Sequence, residues 1–144
     1  MGAGRRGFTL IEAILALALA GLFALGGAYT VQRLVPKLNL QSGIWEVTAG
    51  LNQARFRAIM SGESVRVRFV SSGFAFDRYD ETSGSWQTSR TVTLPGVLVR
   101  ANNAPVFHPQ GTVSDLATIL VSNARGGYRI TIAITGRVKT VRTG

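Results

Sequence analysis

Hydrophobic positions divide the chain into one long apolar run and a series of short alternating ones. From Ala13 to Val31 no residue is charged, a length that suits a membrane-spanning helix of about 20 residues. Beyond it, Ile44, Val47, Leu51, Ala54 and Ala58 recur at three- and four-residue steps. That period marks one face of an amphipathic helix, and Ser61-Gly62 offers its stop. Pro36 falls inside the interval and predicts a kink or break, because proline lacks the N–H that a helix interior requires. Gly26-Gly27 adds a second soft point. A continuous helix from Phe8 to Met60 would be on the order of 80 Å long. The alternative is two helices joined at Pro36.

After Gly62 the period becomes two. Val65, Val67 and Phe69 face inward, and Arg66 and Arg68 face out. A turn at Ser71-Ser72-Gly73 leads to a second strand, a loop at Thr82 to Ser85 to a third from Trp86 to Leu94, and Pro95-Gly96 to a short one from Val97 to Arg100. Residues 102–111 are rich in Asn, Pro and Gly and read as irregular. Leu116 to Ser122 is apolar and β-branched. Tyr128, Ile130, Ile132 and Ile134 line one face of the next strand, with Arg129, Thr131 and Thr135 on the other. Gly136 permits a reversal into a last strand from Arg137 to Arg142. The fold class is α+β: a long N-terminal helix packed on a C-terminal antiparallel sheet.

Composition narrows the chemistry. The chain has 144 residues, no cysteine and one histidine, His108, so thiolate metal sites are excluded and histidine-based ones disfavoured. The formal net charge is +9, which suits anionic partners or an ordinary solvated surface. Asp77, Asp80 and Glu81 could supply part of a calcium shell, though such a group is more often a solvated turn. His108 with Ser114 and Asp115 lacks the Gly-x-Ser-x-Gly elbow of a hydrolase, and Gly126-Gly127 lacks the context of a phosphate loop. No cofactor, metal site or catalytic residue is expected. Trp45 and Trp86 suit either a core or a membrane interface.

The unusual feature is Glu12, a carboxylate at the head of an apolar helix, where burial in lipid is costly. A secretory signal peptide has a shorter apolar core, and a plain anchor with Arg5 and Arg6 left cytoplasmic does not account for Glu12. The stretch Gly7-Phe8-Thr9-Leu10-Ile11-Glu12 resembles the class III leader junction of type IV pilins and type II secretion pseudopilins. Leu51-x-x-Ala54-Arg55-x-x-Ala58-Ile59, Phe107-His108-Pro109-Gln110-Gly111 and Gly136-Arg137-Val138-Lys139 resemble the GspH/FimT minor pilin family. The resemblance implies a pilin-like fold with a leader over 1–7, a membrane and filament-core helix over 8–34, an amphipathic continuation over 35–62 and a β domain over 63–144. It implies cleavage between Gly7 and Phe8 by a prepilin peptidase, and N-methylation of Phe8. Glu12 could then pair with the Phe8 amine of a neighbouring subunit, since a paired charge in lipid costs less than a lone one. The protein would be a non-enzymatic subunit held in the bacterial inner membrane by a single pass, with its β domain in the periplasm, before joining a filament of other pilins or pseudopilins.

Within that family, a FimT-like minor pilin of a type IV pilus is expected, and an H-type pseudopilin of type II secretion is the alternative. The resemblance places DNA contact on the basic hairpin at Gly136, Arg137 and Lys139. Independently, no acidic residue follows Asp115, whereas Arg125, Arg129, Arg137, Lys139 and Arg142 do. Alternation puts Arg137 and Lys139 on one strand face with Arg129 across from them, a basic stripe that, with Arg125 and Arg142 nearby, would hold double-stranded DNA without regard to sequence, through phosphate neutralisation. The competing reading is a charged edge strand that discourages aggregation. A membrane-anchored β domain that only binds anionic lipid is a third possibility.

Overall fold

The structure, a computed structural model, describes residues 9–143, the side chains of 24–30 excepted. The described residues form one helix, α1 (Leu10–Ser61), followed by nine strands: β1 (Val65–Val70), β2 (Gly73–Asp80), β3 (Ser85–Thr93), β4 (Leu98–Ala101), β5 (Val106–Phe107), β6 (Val113–Ser114), β7 (Thr118–Asn123), β8 (Gly126–Ile132) and β9 (Val138–Thr143). The chain parts into two units between Val35 and Pro36.

In the first unit, Leu10, Ile11, Ile14, Leu15, Leu17, Leu19, Leu22 and Phe23 are all exposed. An apolar helix surface this exposed needs lipid or neighbouring helices around it. No helix among the described residues is long and apolar enough to cross a membrane. The expected span over 8–34 includes Phe8 and side chains outside the description. Gly7, the leader and the cleavage junction lie outside it as well.

Pro36 does not break α1: the helix continues through it. The Pro36 carbonyl accepts a hydrogen bond from Asn123 Nδ2 at 2.7 Å, which ties the start of the second unit to the end of β7. From there α1 lays Leu40, Val47, Leu51, Ala54 and Ala58 on the sheets, all buried, with Ile44 packed at the margin. Small residues let the helix come close. A Cβ on Gly50 would stand 2.5 Å from the Phe74 ring, so the ring occupies the space that any larger residue would need.

Two antiparallel sheets receive the helix, one ordered β3-β2-β1-β5-β6 and the other β4-β7-β8-β9. The first contributes Val65, Val67, Phe74, Phe76 and Phe107 to the core, and the second Val99, Ile119, Val121, Ile130 and Ile132. Backbone hydrogen bonds join the sheets, from Val99 N–H to the Ser71 carbonyl at 3.1 Å and from Val113 N–H to the Ile134 carbonyl at 2.9 Å. Ile134 departs from the sequence expectation. It is exposed and lies beyond the end of β8 rather than on its inner face. The chain turns early, because Ala133 N–H donates to the Arg137 carbonyl and Gly136 N–H to the Ala133 carbonyl. Within the stretch read as irregular, Val106 and Phe107 form the short β5 and are buried. Neither tryptophan is in the core: Trp45 is exposed, and Trp86 lies on the surface of the first sheet.

Candidate functional site

At the start of α1, the Glu12 N–H donates to the Thr9 carbonyl at 3.1 Å and to Thr9 Oγ1 at 3.4 Å. Thr9 therefore caps the helix, and Thr9-x-x-Glu12 has the spacing of a capping box, in which the acidic residue three positions on completes the cap. A carboxylate here also complements the positive end of the helix dipole. The sequence reading did not use this local role, although its spacing is visible in the sequence.

The basic residues of the C-terminal third are dispersed. Residues paired directly across adjacent strands share a face of the sheet. Arg100 pairs with Leu120, Leu120 with Arg129, and Arg129 with Val141, so these four form one row across all four strands. Lys139 pairs with Thr131 and stands on the same face, one step along. The opposite face carries Val99, Val121, Ile119, Ile130 and Ile132 into the core. Arg142 pairs with Tyr128, which packs against that core, so it belongs to the margin of the opposite face. Arg137 lies in the turn before β9 rather than in a strand. Arg125 lies in the turn between β7 and β8, where its N–H donates to Asn123 Oδ1 at 2.9 Å. Of the expected stripe, Arg129 and Lys139 do share the outward face, but Arg137 does not share a strand face with Lys139, and Arg125 and Arg142 also lie elsewhere. Arg100 joins that face, and the sequence reading missed it. Alternation within β4 could have turned it outward, but nothing in the sequence places β4 beside β7.

The turn before β9 is held from below. Gly136 has φ of +75°, and a Cβ there would stand 2.8 Å from Arg55 Nε. Only glycine suits both the left-handed backbone and the approach of the guanidinium. Arg55 Nε is buried and has no hydrogen-bond partner among the described residues.

Asp77 is not part of a loop cluster. It lies in β2, is 1% exposed, and accepts hydrogen bonds from Arg66 (Nη2 at 2.8 Å), Arg68 (Nε at 3.1 Å) and Thr88 (Oγ1 at 2.8 Å). Burial raises its pKa, but the hydrogen bonds from Arg68, Arg66 and Thr88 outweigh that and hold it below the usual aspartate value. The Arg66 guanidinium stacks on the Trp86 ring, 4.5 Å from its centroid, and Tyr79 meets the same ring edge-on. Asp80 instead caps the following turn, accepting from Thr82 N–H and Ser83 Oγ. No group of three or more metal-capable side chains gathers among the described residues.

His108 sits between two hydroxyls, with Ser64 Oγ 3.1 Å from Nδ1 and Ser114 Oγ 2.9 Å from Nε2. The Ser114–His108 contact is real, yet a hydroxyl stands where a hydrolytic triad needs a carboxylate to orient the ring. Asp115 does not fill that place.

Comparison with known proteins fits both ends of the molecule. The prokaryotic N-terminal methylation motif matches residues 2–28. No curated protein matches the chain in sequence. In structure, the chain is similar to the minor pseudopilin EpsH of the Vibrio cholerae type 2 secretion system, with 19% identity, a TM-score of 0.58, and coverage of 75% of this chain and 97% of that one. It is similar to the type IV minor pilin FimU of Pseudomonas aeruginosa, with 19% identity, a TM-score of 0.58, and coverage of 72% and 88%. It is also similar to GspH of E. coli, with 16% identity, a TM-score of 0.55, and coverage of 73% and 89%. The chain thus joins a prepilin-type methylation motif to a pilin-like fold.

Proposed function

We propose that the chain is a minor subunit of a pilus-type filament, cut between Gly7 and Phe8 by a prepilin peptidase and N-methylated on Phe8. The observation that carries this is the methylation motif over residues 2–28 in front of a pilin-like fold. The exposed apolar helix of the first unit supports it, because such a surface is stable only in the inner membrane or among other pilin helices. The subunit is first anchored there by its helix, with the β domain periplasmic, and then passes into the filament. Its role is structural and non-enzymatic.

The finer reading is a FimT-like minor pilin whose basic C-terminal strands bind double-stranded DNA without sequence preference. Arg129 and Lys139 on one face, with Arg137 in the adjoining turn, support it. The similarity to EpsH favours the second reading, a minor pseudopilin of type II secretion that binds no DNA.

Two experiments test these statements. Co-expression with a prepilin peptidase, followed by mass spectrometry, should show loss of residues 1–7 and one added methyl group. An unaltered chain would sink the filament-subunit reading. Deletion of the gene should abolish natural transformation and leave protein secretion intact if the type IV reading holds. The reverse outcome selects the pseudopilin.

A further inference from the structure

We infer that the outward face of the β4-β7-β8-β9 sheet is a seat for the backbone of duplex DNA, with Arg100, Arg129 and Lys139 as its three cationic contacts. This deepens, and rests on, the DNA-binding reading above: it moves the contact from the terminal hairpin to a whole sheet face and supplies a physical reason for duplex over single strand.

Neighbouring strands lie about 4.8 Å apart, so Arg100 and Arg129, in one row with β7 between them, are about 10 Å apart at the backbone. Lys139 is a diagonal neighbour of Arg129, about 7–8 Å away. Successive phosphates of one strand advance about 3.4 Å along a duplex, so three long side chains at this spacing reach several of them. Among the described residues none of the three takes part in an ion pair, in contrast to Arg66 and Arg68, which are held by Asp77. No outward residue of these four strands is acidic. Protection of sheet edges explains Arg100 on β4 and Lys139 on β9, but not Arg129, which stands on the interior strand β8.

The same face argues against single strands. Proteins that hold single-stranded nucleic acid stack its bases on aromatic rings. The sole aromatic of these strands, Tyr128, is on the core side, and the row between the arginines offers Leu120 instead. Phosphate contacts alone remain, and they favour the higher charge density of a duplex.

The test is fluorescence anisotropy of a labelled short duplex, and of its single strand, with the full chain in nonionic detergent over a salt series. Three contacts give a slope of log K against log[salt] of about −2.7 on duplex. Arg100→Gln should weaken binding and bring the slope to about −1.8, Arg100→Lys should restore it, and Arg142→Gln, on the other face of β9, should leave it near −2.7. A thermal melt of each variant separates lost binding from lost folding, and the lysine variant keeps the test valid if glutamine unfolds the chain. If Lys139→Gln weakens binding while Arg100→Gln does not, the face assignment falls and the hairpin reading stands. If the single strand binds as tightly as the duplex, the duplex assignment falls. No duplex binding at low salt overturns the DNA reading itself. Arg100-dependent binding to vesicles of anionic lipid, without DNA binding, replaces both with a membrane contact.

Discussion

The Asp77 carboxylate is buried while Arg66 and Arg68, its partners, keep part of their side chains in water. Removing the carboxylate lets both arginines hydrate, so Asp77→Asn should cost about 1.5–3 kcal/mol, the worth of hydrogen bonds to a charged group, rather than the larger cost of a stranded buried charge. The folded pKa lies below the ordinary aspartate value, so the folded state binds this proton less readily than the unfolded chain. The contribution is complete above the unfolded value and is lost as pH falls through the lower folded one. Denaturant unfolding of wild type and Asp77→Asn should therefore differ at pH 7, with the gap starting to shrink below about pH 4 and closing only once the lower folded pKa is passed. A gap of equal size at both pH values would point to packing instead. Alternation made Arg66 and Arg68 legible as outward residues. Their carboxylate partner was not legible, since only the pairing of β1 with β2 sets Asp77 opposite Arg66, and neighbouring acids suggested a loop.

Secondary structure shows where a pattern of two suffices and where it stops. Ile130 is wholly buried in β8, whereas Ile134, two alternations further on, is exposed. Ile130→Ala should cost about 2–5 kcal/mol, and Ile134→Ala should stay within about 0.5 kcal/mol of wild type. Equal losses in a chemical denaturation series would mean that β8 extends to Thr135, as the alternation suggests. Periodicity records which side chains could be inward, not where backbone hydrogen bonds close a turn, and the 133–137 turn is closed by backbone groups alone. Gly136→Ala should cost about 1–3 kcal/mol, from the left-handed backbone and from the approach to Arg55. Since Arg137 lies in that turn and Lys139 follows it, any DNA affinity should fall in the same variant. The α1 face was legible at Val47, Leu51, Ala54 and Ala58, which are buried, while Ile44 lies only at the margin and Leu40, one turn earlier, joins the core unread. Pro36 was the weaker inference: a missing N–H forgoes one helical bond, and the helix runs on regardless.

For the molecule as a filament subunit, the open question is what Glu12 contributes, and two physical accounts compete. Thr9 Oγ1 accepts from the Glu12 N–H, and at this spacing a capping box has the Glu12 side chain return a hydrogen bond to the cap, a role glutamine can also fill. As the partner of a neighbouring Phe8 amine, it must carry charge, which glutamine lacks, and the amine exists only after cleavage. The two accounts diverge in one pair of variants. Charge pairing predicts that Glu12→Gln and Glu12→Ala are both processed by the peptidase yet both fail to enter sheared filaments. Capping predicts that Glu12→Gln enters normally and Glu12→Ala enters poorly, with a loss of helix stability of roughly 0.5–2 kcal/mol. We expect the first pattern. Exposed apolar residues from Leu10 to Phe23 flank this one carboxylate along the helix, and once that surface is buried in lipid or among neighbouring helices an uncompensated charge is far more costly than a frayed first turn. Quantifying each variant in sheared filaments against the membrane fraction decides between them.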